Sequence, residues 1–201
     1  MNINTVVELV ETEIGMTYIE YRSLITRLLE EGKVTGHEQT EAYLNYTKLN
    51  EVRMNRWDKH FVPSEDMIAA IKSINEKRTW IVITEGWCGD SAQTLPALAK
   101  IASANPNIEL KFFLRDENEE LMNSFLTDGK KSIPVVACLN TSGEVLWQWG
   151  SRPQGALDLI ADYKNKGVET AVWKEKLHLW YAQNKQQDFQ KELISKINSE
   201  K

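Results

Sequence analysis

The sequence predicts an α/β protein in which helices flank a central mixed β-sheet, with a helical hairpin ahead of it and a helical extension behind. Three stretches carry that reading. Trp80, Ile81, Val82, Ile83 and Thr84 are all β-branched or aromatic, as in a buried strand. Gly86 then frees the backbone to turn, and Leu95, Leu98, Ala99, Ile101 and Ala102 recur at helical spacing. A second apolar run over 108–114 completes a strand–helix–strand unit, so these two strands are expected to be parallel with a right-handed crossover. The third stretch is an antiparallel hairpin: a strand over 133–139, the turn Asn140-Thr141-Ser142-Gly143, and an alternating partner over 144–149.

The remaining elements are helical. Tyr18, Tyr21, Leu24, Ile25, Leu28 and Leu29 share one face of a helix over 17–31, with Thr17 as its cap and Gly32 just past its end. A second helix is expected to start at 36–38 and run through Tyr43, Leu44, Thr47, Met54 and Trp57. A two-helix hairpin leaves its apolar faces half covered, so it must pack on the downstream chain, with Trp57, Trp173 and Trp180 expected in the seam. Pro63 and Ser64 open a helix through Met67, Ile68, Ala70, Ile71 and Ile74. The helix after the first strand runs over 88–104 to a turn at Asn105-Pro106-Asn107, and a short helix is expected over 117–126. Pro153 starts a helix that Gly167 stops. A long last helix spans 169–197, with a break expected in its polar middle, 183–188. The chain thus divides into an N-terminal helical extension (1–62), a core (63–166) and a C-terminal helix (167–201), expected to pack as one globular unit.

Composition narrows the function classes. Apolar content of 42% and charged content of 26% suit a globular domain. A net charge of −5 argues against a nucleic-acid partner or an anionic membrane surface. No run of about 18 apolar residues exists to cross a membrane. Residues 1–16 carry Glu8, Glu11 and Glu13 without a basic or apolar export region, so a cytoplasmic location is expected. The presence of two cysteines only, Cys88 and Cys138, agrees with that.

Cys88 falls where a strand ends and a helix begins. The first N–H groups of a helix lack internal partners and carry the positive end of its dipole, so a thiolate is favoured there and the Cys88 pKa is expected below the free-thiol value of about 8.5. Ser91 cannot release a mixed disulfide formed by Cys88, because an alcohol does not supply the attacking anion; it can donate a hydrogen bond to the thiolate instead. Asp90, a nearby anion, works against the thiolate. His37, His60 and His178 match no metal-ligand spacing, so no metal is expected. Lys130 and Lys131 are read as a solvated loop, the alternative being a place near the thiolate where they would lower its pKa or attract an anionic thiol such as glutathione; Trp147 and Trp149 are read as core.

Trp87-Cys88-Gly89-Asp90-Ser91, Pro96, Ile133-Pro134-Val135 and the turn Ser142-Gly143-Glu144-Val145 with Gly150 together resemble the thioredoxin-like superfamily. The first is similar to its Trp-Cys-Gly-x-Cys motif with serine in the second cysteine position; the third is similar to its Ile-Pro-Thr, whose proline is cis. The resemblance covers about residues 65–165. It implies a thioredoxin-like fold, with Cys88 and Ser91 at the catalytic positions and Trp87, Gly89, Asp90, Ile133 and Pro134 facing the substrate. The chain departs from the pattern at Ser91 and at Val82, which stands where the family keeps a buried acid. Both departures point away from a dithiol cycle. The expected function is thiol–disulfide exchange through Cys88 alone. The expected partners are protein or low-molecular-weight disulfides and thiols, with glutathione or a similar thiol as co-substrate and no bound cofactor. Two alternatives stay open: a redox-inactive partner-binding module, and a dithiol reductase whose second cysteine has been replaced by Ser91. With Pro134 placed beside Cys88, Cys138 lies four strand residues further, roughly 13 Å away at about 3.3 Å per residue, and is read as a core residue rather than a resolving thiol.

Overall fold

Strand β1 (Arg78–Thr84) is hydrogen-bonded on both edges and covered on both faces, and the cover on both faces is why its sequence is a continuous apolar run and not an alternating one. The computed structural model describes residue 10 and residues 15–200; the reading of residues 1–16 as free of an export signal lies almost wholly outside them. β1 runs parallel to β2 (Ile108–Leu114), with Arg78 opposite Ile108 and Thr84 opposite Leu114. It runs antiparallel to β3 (Val135–Leu139), which pairs antiparallel with β4 (Val145–Gly150), giving the order β2-β1-β3-β4. The mixed sheet flanked by helices is the expected architecture.

Successive side chains of β1 point to opposite faces and so feed two separate layers. Trp80 and Val82 join the larger layer, built from α1 (Tyr18–Glu30), α2 (Glu41–His60), α3 (Glu65–Lys72), α4 (Gly89–Ala102) and α8 (Gln187–Asn198). Tyr21, Ile25, Met54, Trp57, Ile71, Leu95, Phe112, Phe189 and Leu193 fill it. Ile81 and Ile83 face the smaller layer, where α5 (Glu119–Asn123) supplies Leu121 and Met122. A third cluster joins α6 (Gln154–Asn165) to α7 (Thr170–Asn184) through Ala156, Ile160, Leu177 and Tyr181. Among the described residues no helix is long and apolar enough to cross a membrane.

The N-terminal hairpin belongs to the main core. Thr17 and Glu20 form a reciprocal capping box at the start of α1. Arg22 ties α1 to α2 through Glu51 (2.9 Å) and Asp58. On the other side of α2, the indole Nε1 of Trp57 donates to Gln93 Oε1 on α4 at 2.7 Å. Trp57 therefore takes the expected place in the seam, whereas Trp173 and Trp180 do not: both pack around the α6–α7 cluster. α2 starts at Glu41, not at 36–38. The Gln39 side chain bonds to the N–H and carbonyl of Val34 and holds that segment as a loop, and Thr40 is the cap.

The last helix breaks where its polar middle suggested. Lys185 and Gln186 adopt φ of 51° and 66°, so α8 turns back and packs along α3. Cys138 sits in β3 opposite Trp80 and Trp147, fully buried, in the larger layer; Cys88 faces the smaller one, and both thiols are free. Trp147 packs edge-on against Trp80 and Trp149 against Phe189, the core roles expected of them.

Candidate active site

Cys88 is the N-cap of α4, with extended backbone (φ −76°, ψ 114°), and its carbonyl accepts the first helical hydrogen bond from Ala92 N–H at 3.1 Å. β1 and α4 thus aim the sulfur across at the Ile133–Pro134 segment, whose peptide bond is cis, as the resemblance implied. The Cys88 thiol donates to the Ile133 carbonyl at 3.4 Å. Gly150 closes this corner: a Cβ there would lie 2.2 Å from the Pro134 carbonyl oxygen, and its φ of +143° suits glycine alone.

The electrostatics differ from expectation. Cys88 is 7% exposed, and burial, followed by the Asp90 carboxylate, pushes its thiol up to about 11. The Ser91 hydroxyl and the N–H groups of Ser91 and Asp90 pull the other way without prevailing. The lowered pKa expected from the helix terminus is therefore overturned, because removing the thiolate from water outweighs the dipole. Ser91 is itself buried and accepts a hydrogen bond from the Thr84 hydroxyl at 2.8 Å.

Asp90 is buried but supplied with partners. Tyr181 OH on α7 donates to Oδ1 at 3.0 Å, and Arg152 reaches Oδ2 at 2.6 Å. Burial raises the Asp90 pKa and Arg152 opposes that shift. A second contact from α7 to α4 is His178, whose Nδ1 lies 3.2 Å from Gln93 Nε2. Burial, reinforced by Arg53, Lys174 and Arg152, pushes His178 down to about 4, so its ring is neutral at neutral pH. A buried acid does occur three residues beyond Val82, the position at which the resemblance implied one: Glu85, just past the end of β1, is pushed up to about 7 by burial, with Oε1 accepting from Asp116 N–H at 2.9 Å.

Cys88, Gly89, Asp90, Ile133, Arg152 and His178 line a cavity of about 400 Å³. α2 contributes Tyr43, Tyr46 and Arg53, and α7 contributes Trp173, Lys174, Leu177 and His178. Trp87 lines it half-buried, stacked on Tyr43 (ring centroids 4.8 Å) with the Arg115 guanidinium 4.8 Å from its ring. Lys131 lines it as well; Lys130 does not. Pro134 is buried and is not among the lining residues. Of the residues singled out from the sequence, Trp87, Cys88, Gly89, Asp90 and Ile133 meet at one cavity, and Ser91 and Pro134 lie beneath it.

Sequence reasoning missed Arg53, Arg152, His178 and Tyr181. The one signal available was Asp90 itself, since a carboxylate in the first turn of a buried helix requires a counter-charge. Among the described residues no His, Cys, Asp and Glu cluster has metal-binding geometry. Gly89 matters because a Cβ there would sit 2.9 Å from His178 Cε1. Gly89→Ala is expected to push His178 off Gln93 and loosen α7, destabilising the fold by about 1–3 kcal/mol, the usual range for overpacking. A thermal melt checks the loss, and several-fold faster alkylation of Cys88 checks the opening of α7.

The family model described as Thioredoxin matches residues 36–164, which include α2 and the whole sheet. Two solved structures share the fold. One is an HIV epitope-scaffold, with a TM-score of 0.55 at 17% identity over 91% of this chain and 98% of that one. The other is a Pseudomonas aeruginosa protein of unknown function, with a TM-score of 0.53 at 20% identity over 86% and 96%. No curated protein sequence matches the chain.

Proposed function

Because this chain belongs to the thioredoxin family, we propose that it exchanges thiols and disulfides through Cys88 alone, with an external thiol completing each cycle. The observation that carries the reading is the position of Cys88: a helix N-cap sulfur in the lining of a ligand-sized cavity, facing the Ile133 carbonyl, with the other cysteine on the opposite face of the sheet. In this reading Cys88 first gives up its proton, and the thiolate attacks one sulfur of a disulfide. The S–S bond breaks, the electron pair leaves with the second sulfur, and that thiolate takes up a proton. A second external thiolate attacks the mixed disulfide in the same way, releasing a new disulfide and restoring the Cys88 thiol. Ser91 plays no part in release and serves to orient the sulfur. A reducing compartment, such as the cytoplasm, supplies the external thiol, and the presence of two free cysteines only is in keeping with it.

The test is intact mass after incubation with oxidised glutathione. One glutathione adduct is expected on the wild type and none on Cys88→Ser, with the adduct removed by reduced glutathione. No adduct even at pH 10, where more of the thiol is ionised, refutes exchange. One observation favours a second reading, that of a redox-inactive binding module: burial holds the resting Cys88 thiol protonated. That reading requires Cys88→Ala to retain ligand binding and the wild type to form no adduct.

A further inference from the structure

The charge lining the cavity runs against the charge of the chain. The whole sequence carries −5, yet Arg53, Arg115, Lys131, Arg152 and Lys174 line the cavity against one carboxylate, Asp90. Asp90 is bonded by Arg152 and Tyr181, and Arg115 pairs with Asp116 at 2.7 Å; Asp90 also attracts Arg53 through space but makes no ion pair with it, so the cations stay in excess. Arg53 has only the Asn50 side-chain oxygen, at 2.8 Å, and no carboxylate partner among the described residues. Its Nη1 would lie 3.7 Å from a Cβ on Gly89, which places the guanidinium beside the residue that follows Cys88. Lys174 lies 5.4 Å from the centroid of the Tyr46 ring and likewise has no carboxylate partner among the described residues. Lys131 pairs with Glu119, which is largely exposed, in the kind of surface ion pair that contributes little.

A half-buried cation with no carboxylate bonded to it, such as Arg53, is costly to keep, and an entering anion recovers part of that cost. The size of the cavity sets the scale of the occupant. About 400 Å³ matches a small molecule and not a folded partner or a long peptide. Since α2 and α7 each present one unpaired cation, Arg53 and Lys174, a ligand with two separated anionic groups satisfies both.

We infer that the cavity over Cys88 binds a small thiol, or its disulfide, carrying two or more carboxylates that pair with Arg53 and Lys174. The anion-binding half stands on the cavity alone, whereas the sulfur half rests on the proposed exchange at Cys88. The substrate of this chain is then a low-molecular-weight anion, and α7 with Trp173, Lys174 and His178 covers the face that a protein substrate would need.

S-methylglutathione separates the two halves, because it keeps both carboxylates but has no sulfur able to exchange. Calorimetric titration of the full chain with it is expected to show saturable binding at one site, weakening as salt is raised. Affinity is expected to fall at least tenfold in Arg53→Gln/Lys174→Gln, and at least tenfold when both carboxylates are methyl esters. Lys174 is exposed, so Lys174→Gln alone carries the test if the Arg53 change destabilises the fold. Absence of binding, equal affinity for the diester, or undiminished affinity in Lys174→Gln and in the double variant overturns the inference. So does binding of inorganic phosphate with the same charge dependence while S-methylglutathione fails to bind. Failure of the glutathione adduct on Cys88 with this binding intact refutes the exchange and leaves the anion site standing.

Discussion

Iodoacetamide alkylation of Cys88 across pH is expected to give a midpoint near 11, about two units above an ordinary thiol. At neutral pH that leaves roughly a hundredfold less thiolate than a free cysteine has, since each unit is a factor of ten. A more basic thiolate is intrinsically the better nucleophile, with a Brønsted slope of about 0.4–0.5, which returns nearly tenfold. Modification about tenfold slower than that of free cysteine is therefore expected, before any effect of access. Asp90→Asn removes the second of the two causes that raise the pKa and leaves Arg152 without its carboxylate beside the sulfur. The midpoint should fall by about a unit or more, with about tenfold more thiolate at neutral pH. An unchanged midpoint in Asp90→Asn shows that burial alone sets it. The stability consequence has a definite sign. The folded state holds the Cys88 proton more tightly than the unfolded chain, so this group's contribution is fully present below pH 9 and is lost as pH rises towards 11.

Deleting residues 1–62 is expected to abolish cooperative folding of the remainder. The deletion removes Tyr21, Ile25, Met54, Trp57 and Phe61, each at most 6% exposed and all in the same cluster as Leu95, Phe112 and Phe189 of the core. At about 1.5–3 kcal/mol for each large apolar side chain, these five contribute on the order of 10 kcal/mol as an upper estimate, as much as the whole stability of a typical domain. The cut also strips the face of α4 that α2 covers and leaves Gln93 without its Trp57 partner. Near-UV circular dichroism and a denaturant titration check this. A sharp two-state transition in the truncated chain would show that the hairpin is dispensable.

The strands and the position of Cys88 at the mouth of α4 were legible, because each depends on neighbours within a few residues: β-branched runs, a freeing glycine, a helical repeat; that Ile133-Pro134 faces Cys88 from 45 residues away followed only from the resemblance to the thioredoxin-like superfamily. The break at Lys185 and Gln186 was legible for the same reason, a polar stretch with nothing to bury. The start of α2 was not, because the Gln39 side chain ties down a loop whose residues alone would extend the helix. Nor were the partners of Asp90. Arg152 and Tyr181 lie 62 and 91 residues away, and nothing local marks either as its counterpart.

What the sequence determined by itself was a mixed-sheet α/β scaffold that holds one cysteine where a strand meets a helix, since periodicity and turn residues act over short range. What the tertiary structure alone decided was the state of that cysteine and the character of the cavity above it. Whether a helix terminus ionises a thiol depends on how much water reaches the sulfur and which charges stand beside it. The charge, Asp90, stands two residues from Cys88 and was legible; the burial that dominates comes with α2 and α7 closing over the site from distant parts of the chain.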